Sequence, residues 1–273
     1  MRFSFVVSAG MGYRISDLFD TDASFREFQA ALTLLKRHGF SGVELNLATT
    51  ERTRLARIVK VSRQEGLRVA AVGTGLLYSK RGYSFTDRNA IRRKRAMAIV
   101  SQLIQFASQE KAVLIIGLVR GGPSAADSAG KLLSQALVEC DRIASEHRVR
   151  LALEAINRYE TRLLNTAADV ANIIHDEKLR STGMLLDSFH MNIEEPSIEG
   201  TIRKYHRLVS HFHIADSNRW PPGLGHLDVA RELKLLEELQ YPGWVSAEVL
   251  PEPDNERAVI GTAHFLREKG FIS

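Results

Sequence analysis

Four short apolar stretches of this chain carry a group able to bind a metal ion: LALEAIN has Glu154, GMLLDSFH has Asp187, SHFHIAD has His213 and WVSAEVL has Glu248. A carboxylate in a strand buried on both faces is costly unless it is paired or bound to a cation. Three carboxylates and one imidazole, with no thiolate, form a hard donor set. It suits Mn²⁺, Mg²⁺ or Co²⁺ in near-octahedral geometry better than structural zinc. Four protein donors leave about two positions open, enough for the adjacent oxygens of a hydroxy-ketone. A divalent ion on the carbonyl oxygen acidifies the neighbouring C–H, and a nearby carboxylate can remove that proton. Carboxylates on both faces of the carbon would give epimerisation. A single base moving the proton between C1 and C2 would give aldose–ketose isomerisation. The residue pattern alone leaves both open.

These groups must be brought together by the elements that carry them. The ligands are 33, 26 and 35 residues apart, about one strand–helix unit each. Eight short runs, apolar and rich in β-branched residues, read as strands: Phe3–Ala9, Gly42–Leu47, Arg68–Thr74, Ala112–Val119, Arg150–Ile156, Met184–Phe189, Val209–Ala215 and Val245–Leu250. Helical segments follow each of them. Gly39 and Gly66 are placed to end two of these helices. Thr166 with Asp169, and Asp228, are placed to begin two others, and a further helix is expected over residues 125–147. Alternating strands and helices predict an α/β fold, a closed (β/α)8 barrel over residues 1–273 as one domain. The alternative is an open doubly wound sheet, which normally carries a glycine-rich first turn, and SAGMGYR matches that poorly. In the barrel, Glu44, Arg120, Glu154, Asp187, His213 and Glu248 fall toward the C-terminal ends of the strands, where barrel enzymes keep their chemistry.

Composition narrows the setting. With 273 residues, 44% hydrophobic and 25% charged, the chain can bury a sizeable core. The single cysteine, Cys140, excludes an intrachain disulfide and reads as a core residue, which fits a reducing, cytoplasmic setting. No stretch has the length of a membrane span. Net charge is +5, and the densest basic run, residues 88–100, is expected to be the solvated face of a helix whose apolar side is Ile91, Ala98 and Ile99. No aromatics interleave with it, so neither nucleic acid nor membrane is expected as a partner.

The segments LEAINRYET, LLDSFHMNIEE, SHFHIADSNRWPPGLGH and SAEVL resemble those of the D-tagatose/D-psicose 3-epimerase family, xylose-isomerase-like TIM barrels. The resemblance covers most of residues 150–250 in the correct order. It implies that Glu154, Asp187, His213 and Glu248 hold a divalent metal, usually Mn²⁺. Glu154 and Glu248 would double as acid and base on the two faces of C3. Glu160, His190 and Arg219 would bind the substrate's C1–C3 oxygens, and the protein would be a homodimer or homotetramer acting on a small-molecule ketose. The chain departs from the family at IIGLVRGG. There Arg120 is expected at the rim, where it could grip a carboxylate bidentately, and this points to a keto-sugar acid.

Other residues have plainer expectations. Of the two histidines in HFHIAD, only His213 is expected to face the barrel axis, with His211 in packing. Glu44 is a candidate supporting partner. Arg158 would form an ion pair or touch substrate, and Trp220 would wall the pocket or meet another subunit. Gly73–Gly75 would form a tight rim loop, and Tyr13 and Tyr78 would shape specificity. The competing functions are an isomerase of the hydroxypyruvate or xylose type, an apurinic-site endonuclease such as the endonuclease-IV type, and a non-catalytic sugar-binding barrel. The endonuclease would want more histidine ligands than the early strands supply, and the last could dispense with an acid that is present here.

Overall fold

In the computed structural model, which describes residues 1–17, 19–122 and 128–273, nine strands form one sheet. They are β1 (Arg2–Ser8), β2 (Tyr13–Arg14), β3 (Gly42–Asn46), β4 (Arg68–Gly73), β5 (Val113–Ile116), β6 (Leu151–Glu154), β7 (Thr182–Asp187), β8 (Val209–Ile214) and β9 (Trp244–Ala247). Their order is β2-β1-β3-β4-β5-β6-β7-β8-β9, every pairing is parallel, and β1 also pairs with β9. The sheet therefore closes into an eight-stranded barrel, with the two-residue β2 as a spur. The expected strands all form, each ending before its expected last residue, and β1, β7 and β9 begin before their expected first. Strand β2 is too short to leave a pattern in sequence.

The helices bury one face each. The helix Asp22–Arg37 places Phe25, Phe28, Leu32 and Leu35 against the barrel. Their spacing of three, four and three residues holds them on one stripe, and each is worth roughly 1.5–3 kcal/mol when removed from water. Gly39 follows this helix at φ +90°, and Phe40 N–H closes back onto the Leu35 carbonyl at 3.1 Å. A side chain at that φ would be strained, so the glycine ends the helix. Thr166 and Asp169 cap the helix Ala167–Asp176 reciprocally, as their spacing predicts. The helix containing Cys140 runs Ala129–His147, and the expected start at 125–127 lies outside the described residues. Cys140 is fully buried, and burial pushes its thiol up.

The basic helix, Ala90–Glu110, corrects the expected face. Ala96, Val100, Leu103 and Ile104 are buried, whereas Ile91 is 64% exposed. The stripe is set by four-residue steps from Ala96, and Ile91 lies off it, in the first turn. No helix among the described residues is long and apolar enough to cross a membrane.

Inside the barrel, Ala71 on β4, Ile115 on β5, Ala152 on β6 and Leu185 on β7 form a small apolar cluster. The other four barrel strands instead carry buried polar side chains within: His211 on β8, Ser246 on β9, Ser4 on β1 and Glu44 on β3.

Candidate active site

At the C-terminal mouth of the barrel, Glu154, Asp187, His213 and Glu248 each offer a ligand atom within 4.8 Å of all the others. Glu154 and Asp187 are the last residues of β6 and β7, His213 is next to last on β8, and Glu248 follows β9 directly. All four are buried. Asp187 Oδ1 accepts from Phe189 N–H at 2.8 Å and His190 N–H at 3.3 Å, capping the helix Ser188–Glu194. Its Oδ2 has no hydrogen-bond partner among the described residues, nor does His213 Nδ1. These two atoms lie 3.5 Å apart, and Nδ1 is also 3.5 Å from Glu248 Oε2. Two orphaned buried atoms facing a third carboxylate are what a cation site requires. The oxygen-rich donor set fits a hard divalent ion.

The neighbouring groups separate the two glutamates. Burial, then the Glu248 charge, pushes the Glu154 carboxyl up to about 8. Burial also opposes ionisation of Glu248, but the Arg219 guanidinium and His213 outweigh it and hold that carboxyl below its usual range. Arg219 Nη2 donates to Glu248 Oε2 at 2.5 Å, and Nη1 donates to Glu160 at 3.2 Å. Without an ion, Glu154 therefore keeps its proton near neutrality while Glu248 is ionised. Such a divergence of paired carboxyls is how one site acquires an acid and a base.

Helix Ser188–Glu194 begins one residue after Asp187, and this turn carries His190 into the same cavity. Strand β7 was expected to continue to Phe189. The chain turns helical instead, and the Phe189 ring lies under the Arg219 guanidinium, 4.8 Å from its centre. The Asn157 amide donates to His190 Nδ1 at 2.8 Å and to Glu160 at 3.0 Å. His190 Nε2 is thus left as the N–H facing the cavity, 3.6 Å from Glu154. Burial lowers the His190 pKa and keeps the ring neutral. Asn157 was not singled out from sequence, although its place three residues after Glu154 in LEAINR was the available signal.

The cavity above these groups measures about 350 Å³, and Glu160, His190 and Arg219 line it. Gly73, Thr74 and Gly75 form part of its wall, as expected of that loop. A larger groove of about 1070 Å³ lies outside the barrel between helices Arg52–Gln64 and Ala90–Glu110, away from the carboxylate set.

Some placements differ from expectation. Arg120 ends a 3-10 turn (Leu118–Arg120) after β5, but its guanidinium is enclosed; Leu118 lines the cavity in its stead. Arg120 makes no side-chain hydrogen bond among the described residues, and burial lowers its pKa to about 10. It acts on Glu154 and Glu160 only through its charge. His211 faces the barrel interior along with His213, because residues two apart on a strand share a face. Arg158 takes the ion-pair alternative expected of it, pairing bidentately with Glu194 at 2.9 and 2.7 Å, and does not line the cavity. Trp220 is 40% exposed, and neither it, Tyr13 nor Tyr78 lines the cavity.

The raised groups give the ion-free protein a signed pH dependence. Glu154 and Glu232 titrate near 8 when folded, mainly through burial, against an ordinary 4.5. His213 is also raised, since Glu44 and Glu248 outweigh its burial. Between about pH 6.5 and 8 the folded state therefore holds more protons than the unfolded chain, while below that range His190 and His211, which burial keeps neutral, offset the gain. The stability these protons supply is complete at the acidic end and lost as pH rises. Thermal melts of chelated protein are expected to fall by roughly 5–10 °C from pH 6.5 to pH 9. Saturating Mn²⁺ should remove the Glu154 and His213 shares of that fall, because the ion replaces their protons, and leave the share of Glu232. A flat profile for the chelated protein would contradict this electrostatic picture.

Comparison with known proteins places this geometry in context. The sequence profile of the xylose isomerase-like TIM barrel family matches residues 32–269. The chain is 32% identical over 123 residues to 3-dehydro-D-guloside 4-epimerase of Escherichia coli (strain K12), a segment that is 45% of this chain and 47% of that enzyme. It is 28% identical over 257 residues to D-psicose 3-epimerase of Enterocloster bolteae, covering 89% of this chain and 83% of that one. A solved structure of L-ribulose 3-epimerase superposes with a TM-score of 0.82 at 22% identity, covering 98% of this chain and 94% of the other, which supports the fold. The chain belongs to the xylose isomerase-like TIM barrel family.

Proposed function

We propose that this protein is a divalent-metal-dependent sugar epimerase that inverts C3 of a ketose or related keto-sugar by proton transfer between Glu154 and Glu248. The observation that carries this reading is the gathering of two glutamates, from β6 and from the end of β9, with Asp187 and His213 around one cation site. Sugar epimerases among its relatives support it. Glu154, Asp187, His213 and Glu248 would hold the ion, with Mn²⁺ the expected metal. When bound, the ion would polarise the ketone and acidify the adjacent C–H. Arg219, Glu160 and His190 Nε2–H would orient the sugar's first oxygens. Glu248, kept ionised by Arg219, would take the C3 proton as the C–H electrons move into the enediolate double bond. Glu154 would return a proton to C3 from the opposite face. In the reverse direction the two exchange roles.

Enclosure of Arg120 removes the residue on which a keto-sugar acid substrate rested, so a neutral sugar becomes the leading choice. Incubation of the Mn²⁺-loaded protein with ketohexoses, 3-keto-glycosides and keto-hexonates in D₂O is expected to give inverted product carrying one solvent deuteron at the inverted carbon. Inversion without deuterium on every active substrate would exclude proton transfer. An aldose product would favour the isomerase reading instead.

A further inference from the structure

Glu44 lies in the middle of β3, one strand position below the mouth, and is 1% exposed. Both its oxygens lie 3.1 Å from His213 Nε2, and Oε2 lies 2.7 Å from His211 Nε2. These are hydrogen-bond lengths. At these distances each imidazole Nε2–H donates to the Glu44 carboxylate, which accepts from both rings. His211 Nε2 is also 3.0 Å from Ser246 Oγ, which is 2.6 Å from Ser4 Oγ. Residues from β8, β9, β1 and β3, four neighbouring strands, thus form a polar half-layer across the barrel. Barrel interiors are ordinarily filled with Val, Ile and Leu, as the facing cluster of Ala71, Ile115, Ala152 and Leu185 illustrates. A buried, paired charge in such a layer adds little stability over apolar packing, so its presence calls for another role.

We propose that Glu44 is the positioning residue of the metal centre. By accepting the Nε2 proton of His213 it fixes the imidazole tautomer that turns the Nδ1 lone pair toward Asp187 and Glu248, and His211 with Ser246 and Ser4 locks the Glu44 carboxylate in place. Metal-binding histidines are oriented in this way by a carboxylate on the far ring nitrogen, and loss of that partner weakens metal binding about 10–100-fold. The trio Glu44, His211 and His213 is itself close enough to be a ligand set. Its contact lengths, however, are those of donors already satisfied by protons, so one ion per chain is expected.

The proposal rests on the metal-centre reading, and its test separates the two. Mn²⁺ affinity is measured from the electron paramagnetic resonance of free Mn²⁺, and the site is also followed through the visible spectrum of the Co²⁺ form. Wild type should bind one ion per chain. Glu44→Gln should bind it 10–100-fold more weakly with an altered Co²⁺ spectrum, and His211→Asn, one bond further away, should show a smaller loss. Melts of the chelated variants report folding independently. A purely structural Glu44 would lower those melts and leave Mn²⁺ affinity unchanged. If Glu44→Gln binds Mn²⁺ within twofold of wild type, or if wild type holds two ions, the positioning role is overturned. If Glu44→Gln does not fold, His211→Asn decides by the same readings. Wild type that binds no Mn²⁺ would overturn the metal centre itself.

Discussion

With Mn²⁺ saturating, Glu154→Gln is expected to keep exchanging the C3 hydrogen of one substrate epimer with solvent while losing inversion, and Glu248→Gln is expected to do the same for the other epimer only. Net epimerisation should fall about 10³–10⁴-fold in each variant, the upper range for loss of a positioned acid or base. The asymmetry follows from the site. The two carboxyls come from β6 and from the end of β9, with Asp187 and His213 on the intervening strands. Each glutamate therefore approaches the sugar from its own side of the cation site. Glutamine keeps an oxygen for coordination and keeps nearly the same volume, so the remaining carboxylate can still remove and return a proton on its own face. The assay needs each epimer separately, with deuterium incorporation and inversion scored in the same tube. Loss of exchange from both epimers in both variants would mean that one base serves both directions. The two-carboxylate mechanism would then be wrong even if the metal is present.

The effect on the Arg219 contact runs in the same direction for Glu248→Gln. Arg219 has φ +61°, a conformation that an L residue adopts with strain, and its carbonyl accepts from Leu250 N–H at 2.6 Å. This holds the guanidinium against Glu248 and Glu160 at the mouth of the barrel. Glutamine at 248 removes one charge of that pairing, so some loss of substrate affinity accompanies the loss of proton transfer, and kcat and KM should move together.

How legible the site was depends on where each residue's signal lay. Glu154, Asp187, His213 and Glu248 stood out because charge within an apolar strand is expensive, and strand-end positions in a parallel barrel converge without further information. Glu44 carried the same signal, a carboxylate in GVELN, but its depth below the mouth is set by register: Val6 pairs with Glu44 while Ser4 pairs with Gly42. Register across the barrel is not written in any one strand. Arg120 misled for a related reason. Its position along the chain was right, but the 3-10 turn after β5 directs its side chain into the wall, and nothing local in IIGLVRGG distinguishes that turn from a continued strand. Asn157 acts by holding a neighbour's tautomer, a role that only geometry reveals.

Asp187→Asn and Asp187→Ala should both lose the ion but differ in fold stability, because the two oxygens of this carboxylate do separate work. Oδ1 caps the helix Ser188–Glu194, and Oδ2 faces the orphaned His213 Nδ1. Asparagine can retain the cap through its own oxygen while offering an uncharged amide to the cation. Mn²⁺ affinity should drop by roughly 10⁴-fold, well beyond the 10–100-fold expected of an indirect partner. The rise in melting temperature produced by saturating Mn²⁺, worth about 4 kcal/mol at a thousandfold excess over Kd, should vanish at the same concentration. Alanine loses the ion equally but also uncaps the helix, which costs about 1 kcal/mol more, and it frees His190, which that helix carries into the cavity. Chelated Asp187→Ala should therefore melt a few degrees below chelated Asp187→Asn, with Mn²⁺ making no difference to either. An Asp187→Asn protein that still gains thermal stability on adding Mn²⁺ would place the ion elsewhere, and the four-ligand centre would have to be abandoned.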